Sequence, residues 1–297
     1  MPHPSPQPRG GIAFALAAYG LWGLLPLYWR ALHAIPVGEV LAHRILWSAA
    51  TTLLLLGSIR RLPDLFAAIK DRRKRWMLLL SSLLIGCNWS IYILAVYRGE
   101  LVQASLGYYI NPLMSVGMGV FLLRERLTRL QIVAVALAGI GVIILGAHHD
   151  GLPWIALGLA ISFALYGYVK KRLGVDSLIG LSVETLWLTP IAGLYLAGLA
   201  ARGAPSSLSA GPGTVALLVG AGAITLAPLF FFNAAARRLP LSTLGFYQYL
   251  SPTIQLLMAV VWFGEPFTRL HGMSFGLIWA ALALYTWDAI AKARARI

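Results

Sequence analysis

The chain has 297 residues, 59% hydrophobic and 11% charged, where soluble domains average roughly 45–50% apolar and about 25% charged. So few charges cannot coat a soluble body of this size, and the apolar residues come in long runs, which excludes an ordinary soluble enzyme. The formal charge of +14 sits in short basic tracts between those runs, a pattern that sets membrane topology and argues against a nucleic-acid partner.

Residues 1–10 are proline-rich and lack a charged region followed by a small-residue cleavage site, so they read as a disordered cytoplasmic tail. A helix crossing a hydrocarbon core of ~30 Å needs ~20 mostly apolar residues. Ten segments qualify: 11–29, 38–57, 76–97, 101–123, 130–147, 152–170, 177–200, 213–236, 241–263 and 270–290, followed by a basic tail over 291–297. The loops are too short for a separate soluble domain, so function lies within the helix bundle. One set of loops carries Arg9, the basic residues from Arg60 to Arg75, Arg124, Arg126, Arg129, Lys170, Lys171, Arg172, Arg237, Arg238, Lys292, Arg294 and Arg296. The other set carries only Arg30, Arg98, Arg202 and Arg269. The basic side is cytoplasmic. Both termini fall there, which requires an even number of spans and predicts a multi-pass protein of the cytoplasmic cell membrane. Cys87 is the only cysteine and lies in an apolar run, so no disulfide framework is available.

Shifting the chain by 140 residues aligns it with itself. Thr128-Arg129-Leu130 falls on Thr268-Arg269-Leu270, Glu125 on Glu265, Pro112 on Pro252, Trp47 on Trp187 and Tyr109 on Tyr249. Five segments per repeat is an odd number, so the second repeat (152–290) enters the membrane inverted relative to the first (11–147). Inverted repeats are a construction of secondary transporters, with the solute held near the midplane where the repeats meet.

Several strings carry a resemblance: Trp22-Gly23, Pro26-Leu27-Tyr28, Glu39, Leu41-Ala42-His43-Arg44 and Trp47-Ser48 in the first part. Asn88-Trp89, Ala104-Ser105-Leu106-Gly107-Tyr108 and Ile110-Asn111-Pro112-Leu113 follow. In the second part come Val175-Asp176-Ser177-Leu178, Glu184-Thr185, Leu244-Gly245-Phe246, Gln248-Tyr249 and Phe263-Gly264-Glu265. Together they resemble the RarD branch of the EamA family, within the drug/metabolite transporter superfamily. The resemblance implies an all-α membrane protein of ten helices in two five-helix repeats. It also implies a central cavity lined by the first four helices of each repeat, with the fifth packed outside.

Intramembrane polar residues are the candidates for a solute pathway, because a charge at a helix centre costs roughly 2.5–3.5 kcal/mol on insertion scales. Arg44 lies about seven residues into the second segment. It either grips an anionic or carbonyl group of a solute, or snorkels to the outer headgroups or pairs with Glu39. Glu184, its repeat partner, sits too far away in depth for a direct pair. It is either a titratable group on the pathway or a helix-end carboxylate reaching the cytoplasmic interface. Glu39, His43 and Trp47 recur every four residues on one face. Together with Glu184, the first two are candidates for proton coupling. Asn88 with Tyr92, and Tyr108 with Asn111 and Ser115, share faces; Gln248, Ser251 and Gln255 are the repeat partners of the latter three. Tyr249 and Trp187 complete the set. Amides and phenols facing each other offer donors and acceptors to a neutral or zwitterionic solute, or else serve as interhelical glue.

Pro112 and Pro252 each remove a backbone donor, which makes either a hinge or a static bend. Pro228 and Asn233 in the eighth segment raise the same question. Glu125 and Glu265 end their helices beside arginines, where a structural lock on a short turn is expected. Arg72-Arg73-Lys74-Arg75 reads as a topology anchor with anionic-lipid contact, and Trp76, Trp154 and Trp262 as interface-belt residues. His148-His149-Asp150 is too compact to cage a metal, and the Asn88-Trp89-Ser90 glycosylation sequon is intramembrane. With no phosphate-binding loop, no cofactor is expected. The expectation is a secondary transporter, an exporter of small amphipathic metabolites or drugs. A pore for small solutes is the alternative, and no nucleophile–base set points to an enzyme. Ala134, Ala138 and Gly141 give the fifth segment a small-residue face to pack another helix, in this chain or in a second copy as a homodimer.

Overall fold

The computed structural model describes residues 8–98, 101–146, 154–203, 207–261 and 269–294. His148-His149-Asp150, Trp262 and Glu265 lie outside them. Within them the chain is helical: α1 (Pro8–Ala31), α2 (Val37–Ser58), α3 (Leu62–Lys70), α4 (Arg72–Arg98), α5 (Leu101–Leu123), α6 (Arg129–Gly146), α7 (Trp154–Leu173), α8 (Ser177–Ala201), α9 (Pro212–Ala236), α10 (Leu241–Tyr247), α11 (Leu250–Val261) and α12 (Arg269–Arg294). Each expected segment falls on one helix, except the ninth, which is divided between α10 and α11. Among the described residues, six helices (α1, α2, α5, α6, α8 and α9) are long and apolar enough to cross a membrane.

The break in the ninth segment follows from Pro252. A proline ring inside a helix clashes with the carbonyl four residues back and offers no N–H, and four residues back is Gln248. There the bonding tightens to three-residue steps, from Gln248 N to Gly245 O and from Tyr249 N to Phe246 O, both 3.2 Å. Pro112, at the matching place in α5, leaves its helix continuous.

Most of the packing joins the first half of the chain to the second. α1 packs on α9 and α11, α2 on α8 and α9, α4 on α7 and α8, α5 on α7 and α10, and α6 on α12. Exchange α1 with α7, α2 with α8, α4 with α9, α5 with α10–α11 and α6 with α12, and the same pairs return. The close crossings are made by glycine. A Cβ at Gly222 would stand 2.5 Å from the carbonyl carbon and 2.7 Å from the carbonyl oxygen of Trp47, backbone that cannot step aside. Gly222→Ala is therefore expected to lower stability by about 1–3 kcal/mol or more, the usual cost of overpacking. Gly139→Ala, where an added Cβ meets nothing within 4 Å, should leave the thermal unfolding midpoint unchanged.

The small-residue face of α6 is used within the chain. Ala134 and Ala138 are fully buried, and a Cβ at Gly141 would meet the Ser274 carbonyl and Ile278 of α12. That face therefore does not argue for a second copy.

At the basic end of the bundle, α3 forms a short connection. The Asp71 side chain accepts the Lys74 N–H at 3.0 Å, and this bond holds its carboxyl below the usual range. Asp176 caps α8 by accepting from Leu178 N and meets Arg61 and Arg237 at 3.4 and 3.7 Å. All three side chains are more than a third exposed, so these pairs fix geometry more than they stabilise.

A stronger tie joins the two halves at the end of α5. Arg124 takes a positive φ of 56°, a left-handed turn that costs a non-glycine residue roughly 1–2 kcal/mol. The reversal delivers Glu125 to the first turn of α10, where its carboxylate accepts from Leu241 N (2.7 Å), Ser242 N (2.9 Å) and Ser242 Oγ (2.7 Å). Glu125 thus locks the opposite half of the molecule, and not only its own turn as its position beside the arginines suggests.

Candidate functional site

A cavity of about 190 Å³ lies between the halves. Its wall takes Tyr19, Trp22, Pro26 and Trp29 from α1, Arg44 from α2, Asn88, Trp89 and Tyr92 from α4, and Tyr108 and Asn111 from α5. The second half contributes Leu159 and Phe163 from α7, Thr225 and Leu229 from α9, and Gln248, Ser251, Pro252 and Gln255 from the broken ninth segment. The cavity thus collects the polar faces of several helices at the level where α10 gives way to α11.

Arg44 is its centre of charge. The guanidinium carbon lies 4.6 Å from the centroid of the Trp29 ring and 5.1 Å from that of Trp89, within cation–π range. Nε donates to Thr225 Oγ1 at 3.0 Å. The side chain is held across the bundle by α1, α4 and α9, an arrangement opposed to snorkelling. No carboxylate stands among the described residues that line the cavity.

Among the described residues, the amides are oriented by bonds that engage one end of each. Asn88 Nδ2 donates to Leu159 O and Ser162 Oγ, both at 2.9 Å, which leaves its oxygen. Gln248 Oε1 accepts from Ser115 Oγ at 3.3 Å, and Gln255 Nε2 donates to Trp22 O at 3.3 Å. Asn111 Oδ1 and Tyr19 OH are buried with no partner. Such groups are costly unless something fills them. The rings of Tyr92 and Tyr108 stand 6.3 Å apart. Trp22 packs against Tyr19, Phe163 and Phe232 at 5.6, 5.6 and 5.7 Å.

Nine of the residues singled out in the sequence meet here: Arg44, Asn88, Tyr92, Tyr108, Asn111, Gln248, Ser251, Pro252 and Gln255. The others do not. Trp47 supplies backbone to the α2–α9 crossing, and its indole N–H is buried without a partner. Trp187 is 42% exposed on α8. Tyr249 is fully buried in a separate cluster with Phe246 and Phe275, because adjacent residues of a helix face different sides.

Glu184 lies deeper toward the basic ends, where its Oε1 accepts from Lys170 Nζ at 2.7 Å and Ser81 Oγ at 2.5 Å. Tyr166 OH donates to its Oε2 at 3.1 Å. It is buried and engaged with protein partners. Asn233, on α9, completes this network through Tyr166 at 3.4 Å. Glu39 and His43 are spent at the opposite end. Glu39 Oε2 accepts from Ser207 N at 3.3 Å, and His43 Nε2 stands 3.2 Å from Ser207 Oγ.

Sequence reasoning passed over Trp22, Trp29, Trp89, Phe163 and Thr225 as lining residues. For α1 a signal existed: Tyr19, Trp22, Pro26 and Trp29 recur at steps of three and four, one helical face. Thr225, in a long apolar stretch, gave none.

Residues 9–147 match the EamA-like transporter family. Protein RarD of Escherichia coli (strain K12) is 42% identical over 96% of this chain and 96% of its own. An uncharacterized transporter of Vibrio cholerae serotype O1 is 42% identical over 95% and 93%. The uncharacterized transporter YojE of Bacillus subtilis (strain 168) is 42% identical over 97% of each. A solved crystal structure, 18% identical, is similar in fold with a TM-score of 0.71 over 95% of this chain and 98% of its own.

Proposed function

The chain belongs to the RarD branch of the EamA-like transporter family and is a multi-pass membrane transporter; from that membership we propose that it is a carrier exchanging small solutes by alternating access at the Arg44 cavity. The observation that carries the reading is a cavity walled by both halves of the chain and closed off toward the basic ends. Toward the basic ends, the apolar cluster running through Tyr166, Phe232, Leu239, Leu241 and Leu244, the Glu184 network and the Glu125 lock fill the bundle. A pore needs a continuous path, whereas a carrier closes one side at a time.

In this reading α10 and α11 form one interrupted span. There are ten spans, in two inverted repeats of five, and the set of helix pairs that survives exchange of the halves supports the duplication. The basic ends face the cytoplasm with both termini, so the cavity lies in the outer half of the cell membrane. Exchange is the mode we favour over proton coupling, because Glu39, His43 and Glu184 all lie off the cavity wall and are engaged with protein partners.

The test is counterflow in proteoliposomes. Vesicles are loaded with an isotopically labelled extract of cellular metabolites and diluted into unlabelled extract at equal pH on both sides. Mass spectrometry should find saturable, trans-stimulated loss of a small subset of solutes, unaltered when a pH gradient is imposed. Unsaturable flux set by solute size alone would establish a pore. Loss that requires the gradient would establish proton coupling.

A further inference from the structure

We propose that the solute taken by this cavity is a small organic carboxylate, anionic or zwitterionic, whose carboxylate docks on the free edge of Arg44. The proposal rests on reading the cavity as the transport site and adds the chemical class of what enters it.

The guanidinium is a flat group with two faces and a rim of donors. Its faces are covered by Trp29 and Trp89, and its Nε edge is taken by Thr225. The two terminal nitrogens remain, without a protein acceptor among the described residues. They form the planar fork that matches a carboxylate with two parallel hydrogen bonds. A cation enclosed by aromatic rings is stabilised most by an anion, and the described lining supplies none. The complement must come from the solute.

The rest of the wall narrows the class. An amine without a carboxylate would meet the positive charge of Arg44 and no acid to balance it, so purely cationic solutes are excluded. Asn111 Oδ1, buried and unpartnered, is an acceptor that suits an ammonium, amide or hydroxyl on the same solute. The aromatic rings of Trp22, Tyr92, Tyr108 and Phe163 favour a flat or apolar body. The volume of about 190 Å³ falls below the ~300–1,000 Å³ of pockets for drug-sized ligands. The fit is to a metabolite of few heavy atoms and not to a bulky drug.

The test uses three probes on one frame: 3-phenylpropanoate, 3-phenylpropanamide and 3-phenylpropylamine. Binding to the purified full-length protein in lipid nanodiscs is followed by tryptophan fluorescence. The carboxylate should bind at least about ten-fold more tightly than the amide, and the amine more weakly than either. Arg44→Gln should abolish that preference while leaving affinity for the amide within about three-fold. Should Arg44→Gln fail to assemble, Thr225→Val keeps the guanidinium but frees its anchored edge, and should weaken the carboxylate alone by several-fold. Equal or tighter binding of the amine, or a carboxylate preference that persists in Arg44→Gln, overturns the proposal. So does failure of all three probes while counterflow finds an uncharged or cationic solute. Carboxylate binding that depends on Arg44 but is accompanied by no counterflow leaves this assignment standing and removes the carrier reading instead.

Discussion

Lysine at position 44 is expected to lose solute exchange almost as completely as alanine does, by about 10–100-fold at matched membrane abundance. The charge is conserved in Arg44→Lys, so a residue needed only for a positive end would tolerate the change. Three geometric features would not survive it. An ammonium is compact and cannot fill the flat slot between Trp29 and Trp89. Its single nitrogen cannot bond Thr225 and also present two parallel donors to a solute. The lost charge-assisted hydrogen bond alone is worth roughly 1.5–3 kcal/mol, and each 1.4 kcal/mol is ten-fold. Arg44→Ala loses the same contacts and the charge as well. Initial exchange rates for both variants, with the unfolding midpoint as a check on assembly, decide the matter. Near-normal exchange by Arg44→Lys would move the recognition role to Asn111, Gln248 and the paired tyrosines.

What could be read in advance was set by hydropathy and spacing. Apolar runs place the helices because membrane-embedded backbone must satisfy its own hydrogen bonds. Arg44 stands out because a charge in such a run demands a reason. Side-chain direction was harder to read. The 140-residue register pairs Trp47 with Trp187 and Tyr109 with Tyr249, yet none of the four lines the cavity, whereas the pairs Tyr108 with Gln248 and Asn111 with Ser251 do; a register marks equivalent places without saying which of them turn inward. Pro112 and Pro252 look equivalent in sequence, but only the second divides its helix. A proline permits a break without enforcing one, and the backbone around Pro112 is packed by α10 so closely that a Cβ on Gly245 would lie 2.8 Å from the Pro112 carbonyl. Glu184 misled for a different reason. Its partner sits in the tract Lys170-Lys171-Arg172, which reads as a loop anchor once the sixth segment is ended at residue 170. In the structure α7 runs on to Leu173, and the added turn carries Lys170 into the bundle.

That buried pair supports the second large effect. Removing Lys170 alone, as Lys170→Met, is expected to destabilise the protein by about 3–5 kcal/mol, the cost of leaving a buried charge without its partner. The two side chains are 4% and 3% exposed. Gly180 makes the room: a Cβ there would come within 2.7 Å of Lys170 Nζ. With the ammonium gone, the Glu184 carboxylate keeps only the hydroxyls of Ser81 and Tyr166. Glu184→Gln should be milder, because Lys170 lies near the end of α7 and its long stem allows the ammonium to turn toward the cytoplasmic interface. The double variant Lys170→Met with Glu184→Gln should recover most of the loss, since no unpaired charge remains and the amide can accept from one of the two hydroxyls while its NH2 donates to the other. Unfolding midpoints for the four proteins close the cycle, and strictly additive losses would show that the pair does not act as a unit. The same double variant also probes mechanism. If the pair is structural, its exchange rate at equal pH should stay near that of the parent, because the cavity wall is untouched. A double variant that assembles normally yet exchanges nothing would make Glu184 a working member of the transport cycle and would end the preference for exchange over proton coupling.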